Sequence, residues 1–185
     1  MTAPTPPRGH DGSVEQTRRA ADVAIRPAMP ADVPAIAGLV TPYAARRILL
    51  GKDLVDYYEA VQEFHVAELA GEIVGCGALH VMWRDLAEVR TLAVHERMRG
   101  TGVGHRLLVR LMDRARELDL DRLFCLTFEV DFFGRHGFEV AAGEVVDPRT
   151  YAELLLSRDD GVAEFLDLAR VKPNTLGNTR MIRSL

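Results

Sequence analysis

One stretch constrains what this chain can fold into more than any other: residues 87–108, AEVRTLAVHERMRGTGVGHRLL. It opens as a strand pattern, with Val89, Leu92 and Val94 apolar and Glu88 and Arg90 charged. It breaks at His95-Glu96, crosses the run Arg99-Gly100-Thr101-Gly102-Val103-Gly104, and continues as an amphipathic helix. Backbone N–H groups at the start of a helix have no intrahelical partner, and the macrodipole places partial positive charge there. Glycines let a ligand approach the backbone closely, so a phosphate group is the natural guest. A purely structural tight turn is the competing reading of the glycines alone. Spacing excludes two phosphate-binding patterns. A P-loop needs Lys then Ser or Thr after its last glycine, whereas Gly104 is followed by His105-Arg106. The fingerprint G-x-G-x-x-G fails because Gly100, Gly102 and Gly104 are spaced by two.

A chain of 185 residues holds one domain with a sizeable core rather than two. Its net charge of −4 gives no global attraction for nucleic acid or an anionic membrane, so local positive charge must do any anion binding. Cys76 and Cys125 both fall in apolar strand-like runs, the pattern of buried reduced thiols. No apolar run approaches the length that spans a bilayer, and the N-terminus lacks the hydrophobic region of a signal peptide. A cytoplasmic protein is expected. The histidines show no metal-ligand spacing, and no metal is expected.

Residues 1–20 are rich in Pro and Gly and poor in large apolar side chains, and read as a disordered tail. Residues 21–185 read as a single α/β domain. A first strand lies at 23–28, then a helix with Val33, Ile36, Ala37 and Val40 on one face, interrupted by Pro42. Further helical stretches are expected at 43–50 and 53–61. Strands at 63–69 and 73–83 form an antiparallel hairpin, followed by a central strand at 87–94 and the helix that ends near residue 118. Residues 121–128 read as a strand buried on both faces. A short helix at 131–136 closes on Gly137, a short strand covers 138–140, and a helix runs from Asp147-Pro148 to about residue 157. Residues 164–171 fit helix or strand, 172–177 is a loop, and 179–185 is a final strand. Parallel pairing is expected between the strands that flank the helix at 104–118.

The run Arg99-Gly100-Thr101-Gly102-Val103-Gly104 resembles the acetyl-CoA signature R/Q-x-x-G-x-G/A of the GNAT acetyltransferases, and it follows a strand ending Leu92-Ala93-Val94 as in that family. Residues 132–138, FFGRHGF, are similar to the family's F-Y-x-x-x-G-F segment. The resemblance implies a GNAT fold, a mixed central sheet flanked by helices, with acetyl-CoA as cosubstrate. It places the acetyl-pantetheine arm on the strand Leu92-Ala93-Val94, through the backbone of Leu92 and Val94. It places the pyrophosphate on Arg99, Gly100, Thr101, Gly102, Val103, Gly104 and His105. Residues 58–64, 75–80, 88–94 and 171–181 resemble, more narrowly, the short actinobacterial amino-acid N-acetyltransferases, the N-acetylglutamate synthases. This implies acetyl transfer to the α-amino group of L-glutamate, with L-glutamine as the alternative, at the first committed step towards arginine. Longer members carry an amino-acid-kinase-like domain for which this length has no room, which leaves the usual arginine feedback site in doubt. Dimers are common in the family, so a homodimer is an expectation.

The chemistry asks for three things. An amine attacks a thioester only when neutral, so the site needs a base and a stabiliser for the oxyanion. The resemblance points to Glu88 as base and to a backbone N–H near residues 92–94 for the oxyanion; a solvated strand carboxylate is the alternative for Glu88. Glutamate's two carboxylates need cations. Lys52 falls where the family places a basic substrate residue, and Arg90, Lys172 and Arg180 are further candidates. Asn178 and Thr179 are candidate donors to the γ-carboxylate. Strand alternation turns Thr91 away from Arg90, so both line one pocket only if a bulge intervenes. Glu129 either touches the amine or caps a helix. The tyrosine that many family members use to protonate the thiolate is replaced by Phe132 and Phe133. A GNAT enzyme for another amine or a protein, or a non-catalytic acyl-CoA-sensing domain, are the rival readings.

Overall fold

The computed structural model describes residues 22–49, 51–142, 145–166 and 177–185. Seven strands form one mixed sheet in the order β1-β2-β3-β4-β5-β7-β6. They are β1 (Ala24–Pro27), β2 (Phe64–Leu69), β3 (Glu72–Trp83), β4 (Leu86–Val94), β5 (Arg122–Thr127), β6 (Glu139–Val140) and β7 (Thr179–Ser184). The helices are α1 (Val33–Ala45), α2 (Leu54–Glu59), α3 (Val103–Glu117), α4 (Val130–Gly134), α5 (Pro148–Leu154) and α6 (Asp160–Phe165). β2 and β3 form the expected hairpin, turned by Ala70 and Gly71 at positive φ. The pairing of β4 with β5, on either side of α3, is parallel as expected, and β5 pairs antiparallel with β7.

Two local expectations are corrected. Pro42 does not interrupt its helix: α1 runs through it to Ala45. The N–H it lacks would have served only the last turn, towards Gly38, and the buried row Val33, Ile36, Leu39 and Val40 holds the helix on the sheet. The helix expected at 43–50 is therefore the end of α1 followed by a turn. Near the C-terminus, helix α6 begins at Asp160, ahead of the ambiguous stretch. The tail 1–20 and most of the loop 172–177, Lys172 included, lie outside the described residues.

The sheet carries α3 on one face. Leu108, Leu111, Met112 and Ala115 are buried there against Ala87, Val89, Leu123 and Cys125, and Leu107 against Ala67, Val74 and Val103, and truncating any one of those leucines to Ala costs about 2–5 kcal/mol. The other face is covered in two parts. α1 and α2 cover the β2–β3 side, with Val33, Ile36, Val40 and Tyr57 on Phe64, Val66, Cys76 and Ala93. α5 and α6 cover the β5 side, with Leu154, Val162 and Phe165 on Leu86 and Phe124. Between the two covers the sheet is left open. Both cysteines are buried free thiols, as expected. Among the described residues no helix is long and apolar enough to cross a membrane.

Candidate active site

The open strip centres on a fork in the sheet. Parallel pairing joins Leu86, Ala87 and Glu88 to Arg122, Leu123 and Phe124. It stops there, although β4 runs on to Val94 and β5 to Thr127. A bulge lies just beyond the fork. Ala78 pairs with Arg90 but Cys76 pairs with Ala93, so Gly77 faces two residues of β4. Thr91 takes up the extra length at φ 57°, a conformation costing of order 1–3 kcal/mol for a branched residue and concentrated at functional sites. Gly77 makes the bulge fit: a Cβ there would lie 2.9 Å from Leu92 and 3.0 Å from Leu111.

The bulge reverses the phase of the strand. Before it, Ala87 and Val89 face α3; after it, Leu92 and Val94 do. Arg90 and Thr91 consequently line the same cavity, the exception that strand alternation left open. Past the bulge, the His95 N–H donates to the Val74 carbonyl at 2.8 Å. Ladder alternation then turns the polar backbone of Val94 the other way, into the gap between the strands. The Tyr43 hydroxyl reaches the Val94 carbonyl there, at 2.6 Å.

The glycine run adjoins the end of β4. Gly100 and Gly102 have φ of 75° and 89°, and Gly102 is the N-cap of α3. The first N–H groups of this long helix, at Val103, Gly104 and His105, point out of its N-terminus. Arg99 is exposed and has no ion-pair partner among the described residues. The Thr101 hydroxyl donates to the Met98 carbonyl, so that residue offers its backbone rather than its side chain. His136 Nδ1 donates to the Phe132 carbonyl at 2.8 Å, which leaves its Nε2 to accept from His105 Nδ1 at 2.7 Å. The His105 ring is thereby held beside the helix start. Phe132 and Phe133 pack edge to face with each other, and neither brings a proton donor.

On the opposite side of the fork is a cavity of about 490 Å³ lined by Lys52, Glu63, Glu88, Arg90, Thr91, Arg158, Asp159 and Asn178 among others. Glu88 is 4 % exposed, and its Oε2 has no hydrogen-bond partner among the described residues. Burial pushes its carboxyl up to about 7, against the opposing pull of Arg90 and with a further push from Asp159. Asn178 Oδ1 is a second buried acceptor without a partner among the described residues. Two orphaned acceptors in one polar cavity ask for a donor, and an ammonium group is one. Arg90 is already engaged, by Glu63 at 3.0 Å and by Asp159 at 2.8 Å. Lys52 is not: it has no ion pair among the described residues, and burial, then the nearby Arg90, lowers its ammonium pKa.

Of the residues expected around the acceptor, the fold gathers Lys52, Glu88, Arg90, Thr91 and Asn178 at this cavity. Three others lie elsewhere. Arg180 donates to the Phe165 carbonyl at 3.0 Å. Thr179 pairs with Thr127 in the sheet. Glu129 is exposed at the N-terminus of α4, where its side chain makes no cap. Sequence reasoning missed Glu63, Arg158 and Asp159, charged residues at element ends with no period or motif to mark them. Among the described residues no group of three or more His, Cys, Asp or Glu side chains is placed to hold a metal ion.

A fork with a glycine-capped helix start, carrying partial positive charge, on one side and a small polar cavity on the other suits an enzyme that passes a group from a phosphate-bearing donor to a compact acceptor. The chain belongs to the acetyltransferase (GNAT) family, which matches residues 33–138, and the mixed sheet with its flanking helices is the GNAT fold. It is 56% identical over 161 residues to an amino-acid acetyltransferase of Mycobacterium tuberculosis, covering 85% of this chain and 92% of that one. It superposes with a TM-score of 0.84 and 55% identity on Rv2747 of Mycobacterium tuberculosis, solved in complex with CoA and NLQ, over 88% of this chain and 99% of that one. A second solved relative is N-acetylglutamate synthase from Neisseria gonorrhoeae complexed with coenzyme A and N-acetyl-glutamate. Its TM-score is 0.70 at 27% identity, and this chain spans 35% of its length.

Proposed function

We propose that this enzyme transfers the acetyl group of acetyl-CoA to the α-amino group of L-glutamate, with L-glutamine as the alternative acceptor. The observation that carries the reading is the buried Glu88 carboxyl at the fork, whose Oε2 has no hydrogen-bond partner among the described residues, next to a cavity lined by Lys52, which has no ion pair among them. The pyrophosphate lies on the N-terminus of α3 with Arg99, and the pantetheine arm runs into the gap beside Val94. The thioester then stands beside Glu88. The acceptor's ammonium enters between Glu88 and Asn178 and gives a proton to the Glu88 carboxylate. The freed amine attacks the thioester carbon and a C–N bond forms; the C–S bond then breaks, and the second proton of the former ammonium passes through water to the departing thiolate, giving the amide and CoA thiol. Thiolate departs readily because a free thiol ionises near pH 8.5, so no tyrosine is required. Lys52 pairs with one substrate carboxylate, and Arg158, at the cavity rim, with the other. The base takes its working form as pH rises through about 7.

The cavity also presents Asp56 and Glu59 at its edge, which favours a second reading, a polyamine acceptor. CoA-thiol release measured with acetyl-CoA and a panel of amino acids plus spermidine separates the two. Glutamate is expected to give the highest kcat/KM, and release with spermidine alone would overturn the proposal.

A further inference from the structure

Arg90 and Glu88 stand two residues apart on one face of β4, and a guanidinium and a carboxylate that meet closely form a strong, frequently bidentate pair. These two do not. The shortest approach, Arg90 Nη1 to Glu88 Oε2, is 3.8 Å, beyond hydrogen bonding. The guanidinium is instead held from two sides. Its Nη1 donates to Asp159 Oδ2 at 2.8 Å and its Nη2 to Glu63 Oε2 at 3.0 Å. Each holder is itself fixed. The other oxygen of Glu63 contacts His80 Nδ1 at 2.7 Å. Asp159 Oδ1 accepts from the N–H groups of Gly161 and Val162, at 2.8 and 3.1 Å, at the start of α6.

We infer that Glu63 and Asp159 are positioning residues that hold Arg90 beyond hydrogen-bond distance of Glu88 and so keep the base clear of a close ion pair. The inference rests on Glu88 being the base. Neither holder touches a reacting atom; each acts through Arg90. Besides Arg90, the ionisable groups facing Glu88 are His80 from β3, Lys52 from the loop before α2, Cys125 from β5 and Asp159 from the turn before α6, with Glu63 behind Arg90. Arg90 is the cation already beside Glu88 that Glu63 and Asp159 hold in place. Losing the charge of either holder lets its guanidinium close a gap of about 1 Å onto Glu88. A carboxyl so paired ionises roughly 1–3 pH units lower and is a correspondingly weaker base.

The test is the pH profile of kcat/KM for glutamate in Asp159→Asn and Glu63→Gln. Asparagine keeps an oxygen to cap α6 while presenting an amide to Arg90, so α6 has its anchor; Glu63→Gln tests the other side independently should the first variant lose its fold. In each, the acid limb is expected to move at least one unit lower and the high-pH plateau to fall, with the acetyl-CoA dissociation constant unchanged. The Glu88 carboxyl, followed by carbon-13 NMR and assigned with Glu88→Gln, is expected to titrate lower by the same amount. A fallen plateau with an unmoved limb and unmoved carboxyl titration would mean a merely structural role and overturn the inference. The underlying reading has its own control. If Glu88→Gln retains both rate and limb, Glu88 is not the base, yet the NMR titration still decides whether Glu63 and Asp159 hold Arg90 away.

Discussion

His65 is the residue whose chemistry fits its surroundings least. It is 3 % exposed on β2, and neither ring nitrogen has a hydrogen-bond partner among the described residues. Burial, then the positive charges of Arg110 and Arg114 on α3, pushes its pKa down to about 4 from an ordinary 6.5. The fold therefore holds it neutral while the unfolded chain protonates it. Stability is complete above pH 6.5 and drains away as pH falls towards 4, by roughly 3 kcal/mol at most. Urea denaturation at pH 7.5 and 4.5 checks this. His65→Leu should lose less stability than the parent over that range by about that amount. Equal losses in both would show that other groups set the acid limit.

At the scale of elements, α6 presses its second residue against Glu88, the proposed base. A Cβ on Gly161 would lie 2.5 Å from Glu88 Oε2 and 3.0 Å from Asp159 Oδ1. Gly161→Ala must displace the Glu88 carboxyl, and a misplacement near 1 Å in a reacting group costs on the order of 10²-fold in rate. A kcat reduced to that extent, with acetyl-CoA affinity retained in a direct binding titration, is the expected result; an unchanged kcat would show that the helix start yields instead. Nothing in the sequence marks Gly161. The donor side, by contrast, was legible, because strand, glycine turn and amphipathic helix follow one another without interruption in residues 87–108. Even the bulge left a trace: the apolar phase runs through Val89 and resumes at Leu92 and Val94. Pro42 misled, because tertiary packing of α1 outweighed a local helix breaker. Glu63, Arg158 and Asp159 were illegible because surface loops are full of such residues, and only the fold tells those that converge from those that do not.

For the whole molecule, electrostatics opposes the donor. Acetyl-CoA is a polyanion and the chain carries a net charge of −4, so attraction must be local, against the mean field; in the proposed reading it comes from the start of α3 and from Arg99. Binding confined to the folded state stabilises it by about 2.7 kcal/mol at a hundred times the dissociation constant. For a protein of this size that raises Tm by roughly 5–11 °C. A charge-assisted hydrogen bond to phosphate contributes about 1.5–3 kcal/mol. Arg99→Ala should therefore cut the cofactor-induced Tm shift to about half or less at the same acetyl-CoA concentration. Arg97, two residues earlier, is paired with Glu72 on the surface, so Arg97→Ala should leave the shift as it was. Rising salt should narrow the gap between parent and Arg99→Ala, since screening weakens a local ion contact. Equal shifts in the two arginine variants would mean that the helix amides alone hold the pyrophosphate.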